Sequence, residues 1–215
     1  MSLQFQQLTI EHIEQIEQLQ REVCAALPDP NMLQPLSREE LVNILGGNGM
    51  MIGVFDEERC IAFRALLKPE VDEDEHLGLD VDATDLSRVL YQEISNVHPD
   101  YRGQNLQKRM AEYILQQVDL SAYDWMCATV MPFNIASLKD KFAQGMHVYA
   151  LKLKYGGKLR YVFGKRLRST VEHGITQQLE LNMEQTALQQ QAIENGYIGT
   201  EMKQINNTWV IVYKK

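Results

Sequence analysis

Cysteine is scarce in this chain: Cys24, Cys60 and Cys127 are the only three in 215 residues, an odd number at wide spacings. That excludes a disulfide framework and a Cys-x-x-Cys metal knuckle, and makes a reducing, cytoplasmic compartment the expectation. No apolar run approaches the ~20 residues needed to span a bilayer, and no secretory leader is legible, so no membrane partner is expected. Basic residues are outnumbered, 21 Lys and Arg against 29 Asp and Glu, for a formal net charge of −8. Phosphate-backbone recognition needs a basic face, so nucleic acid is not expected as a partner either. No Gly-x-Ser-x-Gly elbow is present, and Cys127 lies in an apolar stretch, which weighs against a serine or cysteine nucleophile. Gly47-x-Gly49 lacks a third glycine and precedes a strand, so it reads as a helix stop and not as a nucleotide loop. No metal site is expected. Repeats, low-complexity tracts and long linkers are also missing.

What is present is 45% hydrophobic, enough for one sizeable core or a core with an extension. Ile10, Ile13, Ile16, Leu19 and Val23 form one stripe of a first helix, ended by Pro28 and Pro30. Ser37 with Glu40 has the capping-box spelling ahead of Leu41, Ile44 and Leu45, and Gly46, Gly47 and Gly49 stop that second helix. Met50 to Phe55 and Cys60 to Leu67 read as a hairpin. Eight carboxylates between Glu70 and Asp85 read as a solvated loop, or as a field attracting cationic amines. Asp124 to Met131 is an apolar strand, and Met146 to Leu153 and Lys158 to Phe163 flank a Tyr155-Gly156-Gly157 turn. The cations from Lys152 to Arg168 read as a charged exposed face, or as a partner for a phosphate group of a ligand. Asn182 with Gln185 resembles a second capping box, with a helix over Leu181 to Glu194, Gly196 as its stop, and a last strand ending at Tyr213.

The chain is organised around Glu93 to Met110. Val89 to Val97 reads as a strand that Pro99 ends. Leu106, Met110, Tyr113, Ile114 and Val118 recur at helical spacing, so a helix begins within a few residues of Gly103. A strand, a short glycine-bearing loop and a helix start aim free backbone N–H groups at one spot, backed by the positive end of the helix dipole. That is an anion site, most naturally for phosphate. Gln92, Glu93, Ser95 and Asn96 are polar within an otherwise internal strand, and buried polar groups need a partner or a use. An edge strand with one wet face, or Glu93 paired to an arginine such as Arg64, would account for them equally well.

Val97-x-Pro99-x-Tyr101-Arg102-Gly103 resembles the acyl-CoA pyrophosphate loop of the GNAT superfamily, the GCN5-related N-acetyltransferases. Asn105 and Gln107 stand where that family usually has glycine and a small residue. Asn134, the following short helix, Phe142 and Gly145-Met146 resemble its second block, with Phe142 where tyrosine is usual. The resemblance covers about residues 5 to 165.

It implies an α+β fold, with a central mixed and mostly antiparallel twisted sheet flanked by helices. Residues 1–168 would be the acyltransferase domain, and 169–215 a helix–strand extension packed on the core or on a second subunit of a homodimer. It also implies transfer of an acetyl group from acetyl-CoA to a primary amine, on a small molecule or a peptide, by direct attack in a ternary complex. Arg102, Gly103, Gln104, Asn105, Leu106 and Gln107 would hold the pyrophosphate. Ser95 and Val97 would offer their strand edge to pantetheine, with Val97 N–H free for the thioester oxygen. Asn134 and Phe142 complete the implied CoA contacts.

An alkylamine with a pKa near ~10.4 arrives protonated, so a base is required. Glu93 is the candidate, because a carboxylate desolvated in a cleft shifts toward the useful range. His98 is the alternative base, although a surface residue at the strand end is the preferred reading of it. Phe142 removes the usual acid, but a thiol of pKa near ~8.5 leaves tolerably as its anion. The competing expectation is a non-catalytic acyl-CoA-binding module of the same fold.

Overall fold

A computed structural model describes residues 3–29, 32–168 and 177–215. Pro30 and the stretch directly after residue 168 lie outside the described residues. The chain divides into two compact units, Met1–Pro69 with Leu90–Leu120, and Glu70–Val89 with Ser121–Lys215.

In the first unit, β1 (Gln4–Gln7), β2 (Gly49–Asp56), β3 (Arg59–Leu67) and β4 (Val89–Val97) pair in that order, each antiparallel to the next. The four residues of β1 have no apolar alternation that would announce a strand. Main-chain pairing from Gln4↔Phe55 to Gln7↔Ile52 holds them. The first helix, α1, spans Ile13–Ala25, and its buried Ile13, Ile16, Leu19 and Val23 cover one face of the sheet. Ile10 does not join the stripe: it lies in a 3-10 turn and is 51% exposed. The Thr9 and His12 capping interaction turns the chain before the helix proper begins.

α2 (Arg38–Asn43) starts at the expected box, with Ser37 Oγ accepting from the Glu40 amide and Glu40 Oε2 from the Ser37 amide. It runs on into a π-helical turn over Ile44–Asn48, which Gly47 breaks at φ 121°. Met51, Phe63, Ala65 and Ile94 meet these helices in one apolar cluster. α3 (Leu106–Gln116) buries Leu106, Met110, Ala111 and Ile114.

The second unit orders its strands β5-β7-β6-β9-β10-β8, again with antiparallel pairs: β5 (Trp125–Val130), β6 (His147–Lys154), β7 (Lys158–Arg166), β8 (Gln178–Asn182), β9 (Ile198–Ile205) and β10 (Thr208–Lys214). Its helices are α4 (Ile135–Ala143) and α5 (Thr186–Glu194). The helix expected from Leu181 starts only at Thr186, because Leu181 and Asn182 are paired in β8 with Ile211 and Val210. Half of the expected box survives, with the Asn182 amide donating to Gln185 Oε1 at 3.0 Å. Fully buried Gln189 of α5 ties the tail to the sheet. Its Oε1 accepts from the Tyr161 and Tyr213 hydroxyls at 2.7 and 3.0 Å, and its Nε2 donates to the Met183 and Asn182 carbonyls at 3.0 and 3.2 Å. Every lone pair and proton of that amide has a use, which is what makes a buried polar residue tolerable.

Two charged segments depart from expectation. The acidic stretch is not simply a solvated loop: Leu77–Val81 forms a 3-10 turn with Leu77, Gly78 and Val81 buried. Asp80 lies in this turn with its side chain only 4% exposed, and pairs with Lys152 and with Lys154 at 2.9 Å. The basic region is not an exposed face throughout either. Lys154 and Arg160 are buried, and Lys165 donates to the Gln144 carbonyl. Neutralising Asp80 in a dry setting requires a close cation, and that requirement draws these lysines inward.

His76 accepts from the Gly78 amide at Nδ1, capping the same turn, and burial together with Lys154 pushes its pKa below the ordinary histidine value. His147 shifts the same way through burial, Lys214 and Lys165. Both therefore bind a proton less readily in the folded protein than in the unfolded chain, where histidine titrates near ~6.5. Below that pH the unfolded state binds more protons, so stability present at neutral pH is lost as the pH falls. Denaturant midpoints are expected to drop between pH 7.5 and 5.5, and His76→Asn combined with His147→Gln is expected to flatten that slope. An unchanged slope in the double variant contradicts the assignment.

Candidate functional site

The strand that leads to the loop carries a bulge. Ala65 faces Ile94 while Leu66 faces Gln92, so Glu93 is the inserted residue of a bulge in the β3–β4 register. Glu93 is half-buried at this irregularity. The bulge also breaks the alternation of faces, because cross-strand partners share a face. Phe63, Ala65, Ile94 and Asn96 face the apolar cluster side, while Arg64, Gln92, Ser95 and Val97 share the opposite side. Ser95 and Val97, two residues apart beyond the bulge, share one face by ordinary strand alternation. The Ser95 hydroxyl and the Asn96 side-chain nitrogen are buried with no hydrogen-bond partner among the described residues.

The chain then turns through Pro99–Tyr101, and three anchors set its path. The His98 amide donates to the Ile61 carbonyl at 2.8 Å. The Tyr101 hydroxyl donates to Asp56 Oδ2 at 2.5 Å, a bond that raises the tyrosine pKa. His98 itself is only 8% exposed, which corrects its reading as a surface residue. Its Nδ1 accepts from the Asp100 amide, and its Nε2 lies 3.4 Å from Glu22 Oε2 and 2.9 Å from Arg59 Nη2. Hydrogen bonding from Gln18 and Arg59 holds the Glu22 carboxyl below the usual carboxylate range. A histidine capped at both nitrogens braces the turn and is poorly placed to accept a substrate proton.

Gly103 follows with φ 78°, a conformation costly for any residue with a Cβ, and the space where that Cβ would stand is open. Asn105 takes the left-handed conformation, φ 55° and ψ 25°, at the helix N-cap, a place asparagine tolerates. Arg102, Gly103, Gln104 and Asn105 are exposed, Gln107 is half-buried, and Leu106 points into the core, so Leu106 offers its amide and not its side chain. The amides of Gly103, Gln104, Asn105, Leu106, Gln107 and Lys108 have no acceptor among the described residues; the next, Arg109, bonds the Asn105 carbonyl at 3.1 Å. The Gln107 side chain makes no hydrogen bond among the described residues and so does not satisfy these donors. Six amides without acceptors around a helix start are a donor set suited to a diphosphate.

Asn134 and Phe142 lie in the second unit. Asn134 caps α4 by accepting from the Ser137 amide at 3.3 Å. Phe142 is half-buried and meets Phe163 edge-on, with ring centroids 5.1 Å apart. Gly145, at φ 70°, closes the helix with the Met146 amide on the Lys141 carbonyl. Phe133, next to Asn134, is an exposed aromatic with positive φ that sequence reasoning did not single out. Cys127 is buried, its thiol pKa pushed far up by desolvation, as a core cysteine and not a nucleophile.

Sequence reasoning also gave Arg64 no role beyond a partner for Glu93. A lone charge inside Cys60-Ile61-Ala62-Phe63-Arg64-Ala65-Leu66-Leu67 was the available signal. The guanidinium is 1% exposed; Nη1 donates to the Gln107 carbonyl at 2.8 Å and Nη2 to Gln92 Oε1 at 3.1 Å.

No protein-family model matches the chain, and no curated protein matches it in sequence. Solved structures match it in fold. Arabidopsis thaliana NAA60 in complex with acetyl-CoA superposes with a TM-score of 0.57 at 14% identity, over 78% of this chain and 100% of that one. An acetyltransferase of the GNAT family from Streptococcus pneumoniae gives 0.59 at 12% identity, over 77% and 100%. The ribosomal-protein-S18-alanine N-acetyltransferase of Escherichia coli gives 0.55 at 12%, over 80% and 98%. At such identities the likeness is one of architecture. The expected α+β class, with antiparallel strand pairs flanked by helices, is met, and the chain has the fold of the GNAT acetyltransferases.

Proposed function

We propose that the protein is an N-acetyltransferase that moves an acetyl group from acetyl-CoA to a primary amine in a ternary complex. One observation carries the reading: six amides without acceptors, Gly103 to Lys108, open α3 directly after a strand bulged at a carboxylate. The fold supports it, since a neighbour of the same architecture was solved with acetyl-CoA. The donor set fits the diphosphate of that co-substrate, and the open space at Gly103 leaves room for phosphate oxygens to approach.

The roles follow from that placement. Amides 103–108 hold the diphosphate, and the Arg102 side chain adds a cation at the rim. Ser95 to Val97 present strand edge to the pantetheine amides. Glu93 takes the proton an ammonium must shed, directly or through water, so that nitrogen attacks and sulfur departs with the bond electrons. Asn134 and Phe142 remain CoA contacts by resemblance. Residues 1–168 carry the transfer, with 169–215 as the extension. The acceptor is a small-molecule or peptide amine, since acceptor pockets have no portable signature.

The test is an amine panel scored by thiol release from acetyl-CoA, with calorimetric titration of CoA alongside. Saturable CoA binding with turnover on at least one amine is expected. Phe142, packed edge-on against Phe163 and without a hydroxyl, favours a second reading, a CoA-binding module that does not catalyse. Binding without turnover on any amine supports that reading; absence of CoA binding overturns both.

A further inference from the structure

The first turn of α3 is gripped from below by a side chain of another strand. Arg64 pairs across from Ser95, on the face it shares with Gln92 and Val97. Its Nη1 donates to the carbonyl of Gln107, the second residue of α3, and its Nη2 to the side-chain oxygen of Gln92, the residue before the bulged Glu93. One planar guanidinium therefore joins the two features on which the proposed reaction depends.

In a trans peptide the carbonyl and the following N–H lie in one plane and point in opposite directions. Fixing the Gln107 carbonyl at 2.8 Å on one side thus aims the Lys108 amide on the other, and Lys108 is the last of the six amides without an acceptor. A donor on a peptide's carbonyl also polarises that peptide and strengthens its N–H as a donor. Arginine suits the task because its fork is rigid, always charged and able to serve two acceptors at once. At 1% exposure it has no freedom to leave.

We propose that Arg64 is a positioning residue for acyl-CoA: it orients the Gln107–Lys108 peptide toward the diphosphate and couples that turn to the strand segment that bears Glu93. The inference rests on the acetyl-CoA reading above.

The experiment compares wild-type protein with Arg64→Met and Arg64→Lys, measuring Kd for CoA by calorimetry and for pantetheine, which lacks the diphosphate, by competition. Arg64→Met is expected to weaken CoA at least about tenfold while pantetheine affinity holds, since one charge-assisted contact is lost from the grip alone. Arg64→Lys, which reaches one acceptor at most, is expected to fall between. In the wild type the Lys108 amide proton is expected to move downfield on CoA addition, and in Arg64→Met to stay within a fraction of that shift. If Arg64→Met does not fold, the Arg64→Lys comparison and the wild-type Lys108 shift decide. Equal loss for CoA and pantetheine marks a merely structural role and overturns the inference, as does unchanged CoA affinity or an unmoved Lys108 amide. Either result leaves the function standing so long as wild-type protein binds CoA; if it does not, both readings fall.

Discussion

Glu93→Gln is expected to lower turnover by about 10²-fold or more while acetyl-CoA affinity stays within about twofold of wild type. The substitution keeps the shape of the side chain and removes its capacity to accept a proton. Glu93 is the inserted residue of the bulge, so no cross-strand register position depends on it. The effect should therefore fall on kcat and spare the donor site, and the loss should shrink for acceptors of low amine pKa, which arrive already deprotonated. Steady-state kinetics across such a series checks this. Full activity in Glu93→Gln contradicts the base assignment, and an equal loss for every acceptor contradicts the proton-transfer role.

Gln107→Glu is expected to move stability and binding in opposite directions. A carboxylate in the first turn of a helix interacts favourably with the macrodipole, by about 0.3–1 kcal/mol at the surface, less the desolvation cost at half-buried Gln107. Gln107 is the second residue of α3 and its side chain has no hydrogen bond among the described residues to lose, so the melting temperature should hold or rise slightly. The same carboxylate would stand beside the diphosphate. A unit charge about 6 Å from two negative charges, at an effective dielectric of about 40, costs about 2.8 kcal/mol, or roughly 10²-fold in affinity. Thermal melting and calorimetry on one preparation check both halves. A variant that melts higher and still binds CoA as wild type does would show that the diphosphate does not sit at this turn.

Much of this was legible in the residues, and the remainder for definable reasons. Val89 to Val97, the stop at Pro99 and the helix after Gly103 announced themselves through β-branching, proline and 3.6-residue spacing. Asn105 was legible as a tolerable substitute for glycine, and φ 55° is what it adopts. The bulge was not, because a bulge is a mismatch between two strands and appears only once β3 and β4 are aligned. Nor was β1, whose Gln4, Gln6 and Gln7 are held by main-chain pairing that leaves no trace in composition. His98 looked like a strand-end surface residue because its partners, Glu22 and Arg59, are distant in sequence. Arg64 was visible as an anomaly, but its acceptor is a backbone carbonyl, and a carbonyl carries no residue-type signal.

The central claim is that main-chain donors at the start of α3 grip a diphosphate, and amide NMR tests it most directly. Titrating the wild-type protein with CoA, and then with pantetheine, is expected to move the Gly103 to Lys108 amide protons downfield together and saturably with CoA, and to leave them nearly in place with pantetheine. CoA that binds while those amides stay still, or amides that respond alike to both compounds, would contradict it.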